Sequence, residues 1–219
     1  MGNNLIQFFN KGKHRITVLD PSSSHLAYAI VLLDLDNKNL FIENCGMVWT
    51  LDSWSKGKKY RYMHKVMRLF GIGILDQISK AFVTEAFFSN PKAMVGAPVI
   101  PTINSFALMA ADEMEMDYHE FGASTWRGIL GIKAIKAADG SRDYKVPTAN
   151  LVSQFIKVPD QIQSNINRKM RKLPNDITDV LAIAIAVGRH HGINKVDIGN
   201  TAFMPFQWLE VFEKLAKEI

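Results

Sequence analysis

The segment Asp176-Ile-Thr-Asp-Val-Leu-Ala-Ile-Ala-Ile-Ala186 joins two acidic residues to a run of small apolar side chains. The run predicts a helix from Asn175 to about His190. Asp176 and Asp179 are three residues apart, so they would lie on one face of the first turns of that helix. Two carboxylates this close repel each other unless a cation or the positive helix N-terminus offsets the repulsion.

Two earlier acids each follow a predicted strand. Asp20 ends the apolar run Arg15-Ile-Thr-Val-Leu19, and Glu85 ends the run Ala81-Phe-Val-Thr84. An acid at the end of an apolar strand needs a partner where it is partly buried. Carboxylates that converge from separate elements are the ligands that Mg²⁺ prefers, so the four acids together predict a metal site. Taken singly, each acid could instead cap a helix, begin a turn or lie on the surface.

The order of apolar patterns predicts the fold. Three apolar runs separated by polar segments predict antiparallel strands at 16–19, 27–35 and 40–49. The later predicted elements are a crossover helix at Tyr60–Ser79, a strand at Ala81–Glu85, a helix at Pro98–Met116, a strand at Asp117–Phe121 and a loop or short helix from Thr125. This order is typical of an RNase H-like α/β fold, with a mixed five-stranded sheet flanked by helices and strand one beside strand four.

The periodicity weakens over 133–174, and we interpret this stretch as an insertion near the site, ordered mainly by a partner or substrate. A strand near 194–198 and an amphipathic helix from Pro205 form a C-terminal extension. The length of 219 residues suits one domain with a sizeable core. We therefore expect a single nuclease domain over 1–219, with its core at about 14–191 and the extension at 192–219.

Composition restricts the cellular compartment and the partners expected for the protein, but it does not decide the function. The net charge of +5 is a modest excess that fits a polyanionic partner weakly. The single Cys45 cannot form an intramolecular disulfide or a cysteine cluster for zinc, which favours a reducing compartment. No signal-peptide pattern or membrane-spanning run is visible, so we expect a cytoplasmic protein that does not bind membranes.

Three motifs together resemble the RuvC family of Holliday junction resolvases. They are Ile16-Thr-Val-Leu-Asp20-Pro-Ser, Val83-Thr-Glu85-Ala-Phe-Phe88 and the segment that begins at Asp176. The resemblance implies a homodimeric crossover junction endodeoxyribonuclease that nicks four-way DNA junctions in pairs, without a nucleotide cofactor. It also implies two Mg²⁺ or Mn²⁺ ions per active site, held by the four catalytic acids Asp20, Glu85, Asp176 and Asp179.

The sequence departs from the family pattern at three points. Ser22 stands where the family usually has glycine, the 133–174 insertion is longer than in typical bacterial members, and an extension follows His191. These differences resemble phage-type members, which would act in the cytoplasm of a host. They leave the chemistry intact and put the choice of substrate in doubt.

The resemblance also implies roles for several residues around the acids. Lys145 corresponds to a basic position that could stabilise developing negative charge as a catalytic residue. Phe88 matches an aromatic residue that can stack on an unpaired base, although it could equally pack in the core. Further candidate DNA contacts, which as isolated charges could also be solvated surface, are Lys58, Lys59, Arg61, Arg127, Arg168, Lys169, Arg171 and Lys172.

Other functions remain as alternatives. An actin-like ATPase or sugar kinase shares the opening strand with an acid at its end, but its phosphate loop needs glycine and Ser22-Ser-Ser24 has none. A non-catalytic DNA-branch-binding protein could keep the fold, although it would not need all four acids. Another RNase H-like nuclease acting on branched or flap DNA is the most serious alternative, because a fold does not fix its substrate.

Overall fold

The computed structural model of the chain describes residues 9–22, 24–72, 78–86, 99–199, 202–203 and 206–219. Within these residues the strands are β1 (Lys13–Pro21), β2 (His25–Asp34), β3 (Asn39–Trp49), β4 (Ala81–Ala86), β5 (Asp117–Gly122), β6 (Ile135–Lys136), β7 (Arg142–Asp143), β8 (Gln161–Gln163), β9 (Met170–Lys172) and β10 (Lys195–Ile198). The helices are α1 (Lys56–Ile72), α2 (Val99–Glu113), α3 (Ala123–Ile129), α4 (Lys145–Ser153), α5 (Asn175–His190) and α6 (Phe206–Lys217).

Six of these strands form one mixed sheet in the order β10-β3-β2-β1-β4-β5. β1, β2 and β3 pair antiparallel, while β4 runs parallel to β1 and β5 runs parallel to β4. The predicted meander and the position of strand one beside strand four are therefore confirmed. β10 pairs parallel with β3 and extends the five predicted strands to six.

Helices cover both faces of the sheet. On one face, buried residues of β1–β4 pack against α5, whose alanines allow close approach. At Gly188 a Cβ would lie 3.1 Å from the Cδ1 atom of Leu40, so a side chain there would crowd the strand. The other face packs against α1, α2 and α6. No helix among the described residues is long and apolar enough to cross a bilayer.

The crossover helix begins and ends earlier than its periodicity predicts. α1 starts at Lys56 and ends at Ile72, and the predicted positions Ile74 and Leu75 lie outside the described residues. Ile78 and Ser79 are not helical. Ser79 is buried, and its hydroxyl hydrogen-bonds the Thr17 hydroxyl of β1 at 2.5 Å. A buried hydroxyl requires a polar partner. The hydrogen bond to Thr17 gives a physical reason for Ser79 to lie outside the helix.

The 133–174 insertion has its own structure. It contains the hairpin of β6 with β7, the helix α4 and the hairpin of β8 with β9. Val152, Ile156 and Ile162 are buried in the core beside α5. The expectation that a partner or substrate mainly orders this segment is wrong, because these apolar side chains anchor it to the chain itself.

The C-terminal extension is part of the core. Trp208 and Phe212 of α6 pack among Tyr28 and Phe70, and the four rings have centroids 4.8–6.3 Å apart. The Tyr62 hydroxyl donates a hydrogen bond to the Phe212 carbonyl at 3.0 Å. The helix predicted from Pro205 is confirmed by α6, which closes the face of the sheet opposite α5.

Candidate active site

Two of the predicted acids lie side by side at the end of the sheet. β1 and β4 are parallel, and Leu19 pairs with Thr84, so Asp20 and Glu85 each follow a paired position. Successive strand residues point to opposite faces. Ile16 and Val18 pack in the core beneath α5, so Asp20 shares that face, and Val83 places Glu85 there in the same way.

The first turns of α5 supply two more carboxylates above this edge. Pro174 precedes the helix in an extended conformation, and Asp176 and Asp179 then follow on one side. Carboxylate oxygens of Asp20, Asp176 and Asp179 all lie within 4.8 Å of one another. Three of the four acids that were predicted to converge therefore lie together in the structure.

Glu85 borders this group and has a basic neighbour. Its Oε1 atom is 3.9 Å from a terminal nitrogen of Arg127, on α3. Burial raises the pKa of Glu85, and the positive charge of Arg127 partly offsets that effect. The Arg127 guanidinium also lies 4.6 Å from the centre of the Tyr144 ring, which holds it at the edge of the site.

The acids destabilise one another's charged forms. Burial raises the pKa of Asp20 well above its usual range, and the charges of Asp176, Glu85 and Asp179 raise it further. Burial and the neighbouring Glu85 raise the pKa of Asp179 to about 6. Half-buried oxygen ligands that repel one another are the donor set that a hard divalent cation would stabilise. These residues therefore fit a site for a divalent cation.

The sequence analysis missed one residue of the site, His25. Its Nε2 atom donates a hydrogen bond to the Oδ2 atom of Asp176, and its Nδ1 atom lies 3.0 Å from the Ser24 hydroxyl. The hydrogen bond from His25 lowers the pKa of Asp176. His25 opens β2 directly after the turn that follows β1, and an antiparallel hairpin returns the chain to the strand end that it left. The position of His25 at the start of β2, next to the end of β1, is the sequence signal that identifies it as a candidate site residue.

The remaining predicted residues divide by location. Lys145 is exposed at the start of α4, where its positive charge helps to lower the pKa of Asp176. Arg168 donates two hydrogen bonds to Glu213 of α6, each 3.0 Å long, so it has a partner within the chain. Phe88 lies outside the described residues.

The other predicted DNA contacts are on the surface. Lys59 is half-buried and Arg61 exposed on α1, while Lys169 and Lys172 are exposed in the hairpin of β8 with β9. Two further cations lie over indole rings. The Nζ atom of Lys58 is 4.8 Å from the centre of the Trp54 ring. The guanidinium carbon of Arg171 is 5.1 Å from the centre of the Trp49 ring. Contact of these cations with DNA stays a prediction.

Comparison with known proteins identifies the fold. No protein-family model matches the chain, and no curated protein matches it significantly. Among solved structures, it is similar to RuvC of Thermus thermophilus, with a TM-score of 0.53 and 16% identity over 83% of this chain and 98% of that chain. A structure of T. thermophilus RuvC in complex with a Holliday junction substrate gives a TM-score of 0.51 and 14% identity, covering 83% of this chain and 96% of that chain.

The yeast mitochondrial Holliday junction resolvase is a weaker match, with a TM-score of 0.47 and 11% identity over 98% of this chain and 88% of that chain. At such low sequence identity, the likeness to the two RuvC structures shows a shared fold. The activity has to be inferred from the site itself. The chain has an RNase H-like fold of the RuvC type.

Proposed function

We propose that this chain is a metal-dependent, structure-selective endonuclease that resolves Holliday junctions or other branched DNA by paired nicks. The observation that carries the proposal is the group of Asp20, Asp176 and Asp179, with oxygens within 4.8 Å of one another at the edge of a RuvC-type sheet. With the adjacent Glu85, these residues would hold two Mg²⁺ or Mn²⁺ ions. Such ions, when bound, supply a nucleophilic water near neutral pH and stabilise the leaving oxygen.

The surrounding side chains have distinct roles in this proposal. His25 donates to Asp176, which fixes the orientation of that carboxylate and leaves its other oxygen available as a ligand. Arg127 beside Glu85 and Lys145 near Asp176 provide positive charge at the two ends of the site. In the proposed reaction they would stabilise negative charge that develops on the phosphate.

The DNA substrate is inferred from the surface and from the fold. The T. thermophilus RuvC structure with a Holliday junction substrate supports a branched DNA ligand for this fold. Exposed cations of α1 and of the β8–β9 hairpin supply candidate phosphate contacts. The longer insertion and the C-terminal extension support a phage-type member, which would act in the cytoplasm of its host as a single nuclease domain.

Paired nicking requires two active sites, so we propose a homodimer. The sequence offers two helices for its interface. Met63, Met67 and Phe70 of α1 are fully buried against the sheet, which makes that apolar face part of the core. On α2, Leu108 and Met109 are about half exposed and support an interface on that helix.

A comparison of DNA substrates tests the proposal. One preparation would be incubated with a four-way junction, a Y-fork, a flap and linear duplex, each with Mg²⁺, Mn²⁺ or EDTA. We expect symmetric nicks in the junction that require the metal, and no cleavage by the Asp179→Asn variant. Preference for the flap or fork would favour the alternative of another branched-DNA nuclease. Junction binding without cleavage in either metal would favour a non-catalytic branch-binding protein.

A further inference from the structure

Four neighbouring strands each carry a side chain at the same end of the sheet, on the face that α5 covers. Glu85 of β4 and Asp20 of β1 are followed across the sheet by His25 of β2 and Trp49 of β3, and His25 pairs directly with Trp49. Adjacent strands are about 4.8 Å apart, so β3 lies roughly 10 Å from β1. The indole ring of Trp49 therefore lies in the same row of side chains as the carboxylates and His25.

A cavity of about 340 Å³ opens beside this ring. Its walls include Trp49, Leu51, Trp54 and Lys217 of α6. The guanidinium carbon of Arg171 lies 5.1 Å from the centre of the Trp49 ring, and the Nζ atom of Lys58 lies 4.8 Å from the centre of the Trp54 ring. Lys217 thus places positive charge in the wall of an aromatic pocket, and Arg171 and Lys58 lie beside it over the rings of Trp49 and Trp54.

Buried hydrogen bonds fix the floor of the pocket. The Asn165 side chain accepts a bond from the Trp49 amide at 2.8 Å and donates to the Trp49 carbonyl and the Tyr62 hydroxyl, both at 3.1 Å. Trp54 packs edge-on against Tyr62, with ring centres 5.2 Å apart. Among the described residues that line the pocket, the one acid is Glu213, which accepts hydrogen bonds from Arg168. The pocket is preformed, and its acid is already neutralised.

We propose that the pocket lined by Trp49 and Trp54 binds an unpaired base of the same DNA strand that is cleaved at the carboxylates, an inference that rests on the proposed function. Proteins that bind single strands combine aromatic rings for the bases with cations for the backbone. The cavity volume lies in the range of small-molecule sites. β1 and β3, which carry Asp20 and Trp49, are roughly 10 Å apart, a span of about three nucleotides at about 3.4 Å per stacked nucleotide.

The test uses binding of a short single-stranded oligonucleotide that carries one 2-aminopurine, measured in EDTA so that metal and cleavage do not contribute. Trp54→Leu removes the aromatic face and keeps apolar bulk, whereas Trp54→Phe keeps an aromatic face. We expect Trp54→Leu to weaken binding by about tenfold and to abolish the quenching of 2-aminopurine. Trp54→Phe should retain most of both signals, which controls for a general loss of packing.

Two lysine substitutions test the contribution of charge. Lys58→Ala should weaken binding of the same oligonucleotide. Lys195→Ala should not, because Lys195 of β10 pairs with Asn39 at the opposite end of β3. Equal binding and equal quenching by wild type, Trp54→Leu and Lys58→Ala would overturn the base pocket. Cleavage of the four-way junction by the wild type in Mg²⁺ is scored separately. The pocket can therefore fail while the nuclease stands, and the nuclease can fail while the pocket stands.

Discussion

At the scale of single residues, the carboxylate group combines mutual repulsion with a specific orienting contact. Asp20 and Asp179 have raised pKa values because they are buried near other acids, whereas the hydrogen bond from His25 lowers the pKa of Asp176. The charged form of Asp176 is thus favoured, whereas burial and neighbouring acids disfavour the charged forms of Asp20 and Asp179, which a cation would stabilise. This division is the physical basis for expecting metal-dependent stability as well as metal-dependent activity.

Removing single acids should separate catalysis from DNA binding. We expect Asp20→Asn, Glu85→Gln and Asp179→Asn each to abolish nicking of a four-way junction in Mg²⁺. Binding of the junction in EDTA or Ca²⁺ should change little, because in the proposed mechanism these charges would hold cations and would not attract phosphate. Gel-shift and nicking assays on the same preparations measure both effects. Normal Mg²⁺-dependent turnover by any one variant would remove that residue from the site.

The raised pKa of Asp179 predicts a pH-dependent stability in EDTA. Its pKa is about 6 in the folded protein and 3.8 as a free side chain, so the folded state binds more protons between these values. Stability from this group is therefore greatest below about pH 4 and falls as the pH rises towards 6. Asp179→Asn should be more stable than wild type at pH 7.5, by on the order of 1–2 kcal/mol.

Urea unfolding at pH 4 and 7.5 measures this effect as the difference between the two proteins. The gap should narrow at pH 4, where Asp179 is protonated in the wild type. Mg²⁺ or Mn²⁺ at pH 7.5 should stabilise the wild type more than the variant. A variant that is less stable than wild type at both pH values in EDTA would contradict the electrostatic account.

At the scale of elements, α6 connects the C-terminus to two parts of the molecule. Its aromatic residues complete the core beside α1, and Glu213 binds Arg168 in the turn between β8 and β9. The same helix lines the aromatic pocket through Ala216 and Lys217. The extension therefore supports both the sheet and the surface near the site.

Truncating the buried ring of Phe212 should destabilise the whole fold. We expect Phe212→Ala to lower the free energy of unfolding by about 3–5 kcal/mol, because the ring is fully buried among Tyr28, Phe70 and Trp208. Thermal and urea unfolding measure the loss. Val211→Ala, at a partly buried position on α6, is the matched control and should cost less. A loss of unfolding free energy below 1 kcal/mol for Phe212→Ala would mean that α6 contributes little to the stability of the core.

The hairpin of β8 with β9 should contribute to DNA binding through its exposed lysines. Combining Lys169→Ala with Lys172→Ala should reduce the slope of log K against log salt by up to about two units. Arg168→Ala should change the slope less, because its guanidinium is bonded to Glu213. Titration of a four-way junction at several salt concentrations in EDTA measures each slope. A slope unchanged by the double substitution would make the lysines ordinary surface.

At the scale of the whole molecule, the proposed paired nicking would need two sites presented by one assembly. An isologous two-fold dimer provides them, and the exposed Leu108 and Met109 of α2 are the candidate contact. On a supercoiled plasmid that extrudes a cruciform, we expect direct conversion of circles to linear product within one binding event. Replacing both residues by Glu should favour monomers and nicked circles. A wild-type protein that stays monomeric on DNA and yields only nicked circles at short times would be a branch-specific nickase.

The sequence by itself predicted the order of the main elements outside 133–174 and the three acids that lie together, Asp20, Asp176 and Asp179. Apolar runs that end in Asp20 and Glu85, and the spacing of Asp176 and Asp179, are local patterns, and parallel strands necessarily end at the same edge. The tertiary structure alone decided which side chains meet there. His25 and Asp176 are 151 positions apart, and Arg168 and Glu213 are 45 apart, so no periodicity connects them. Such pairs depend on strand register and helix packing, which form only when the core assembles.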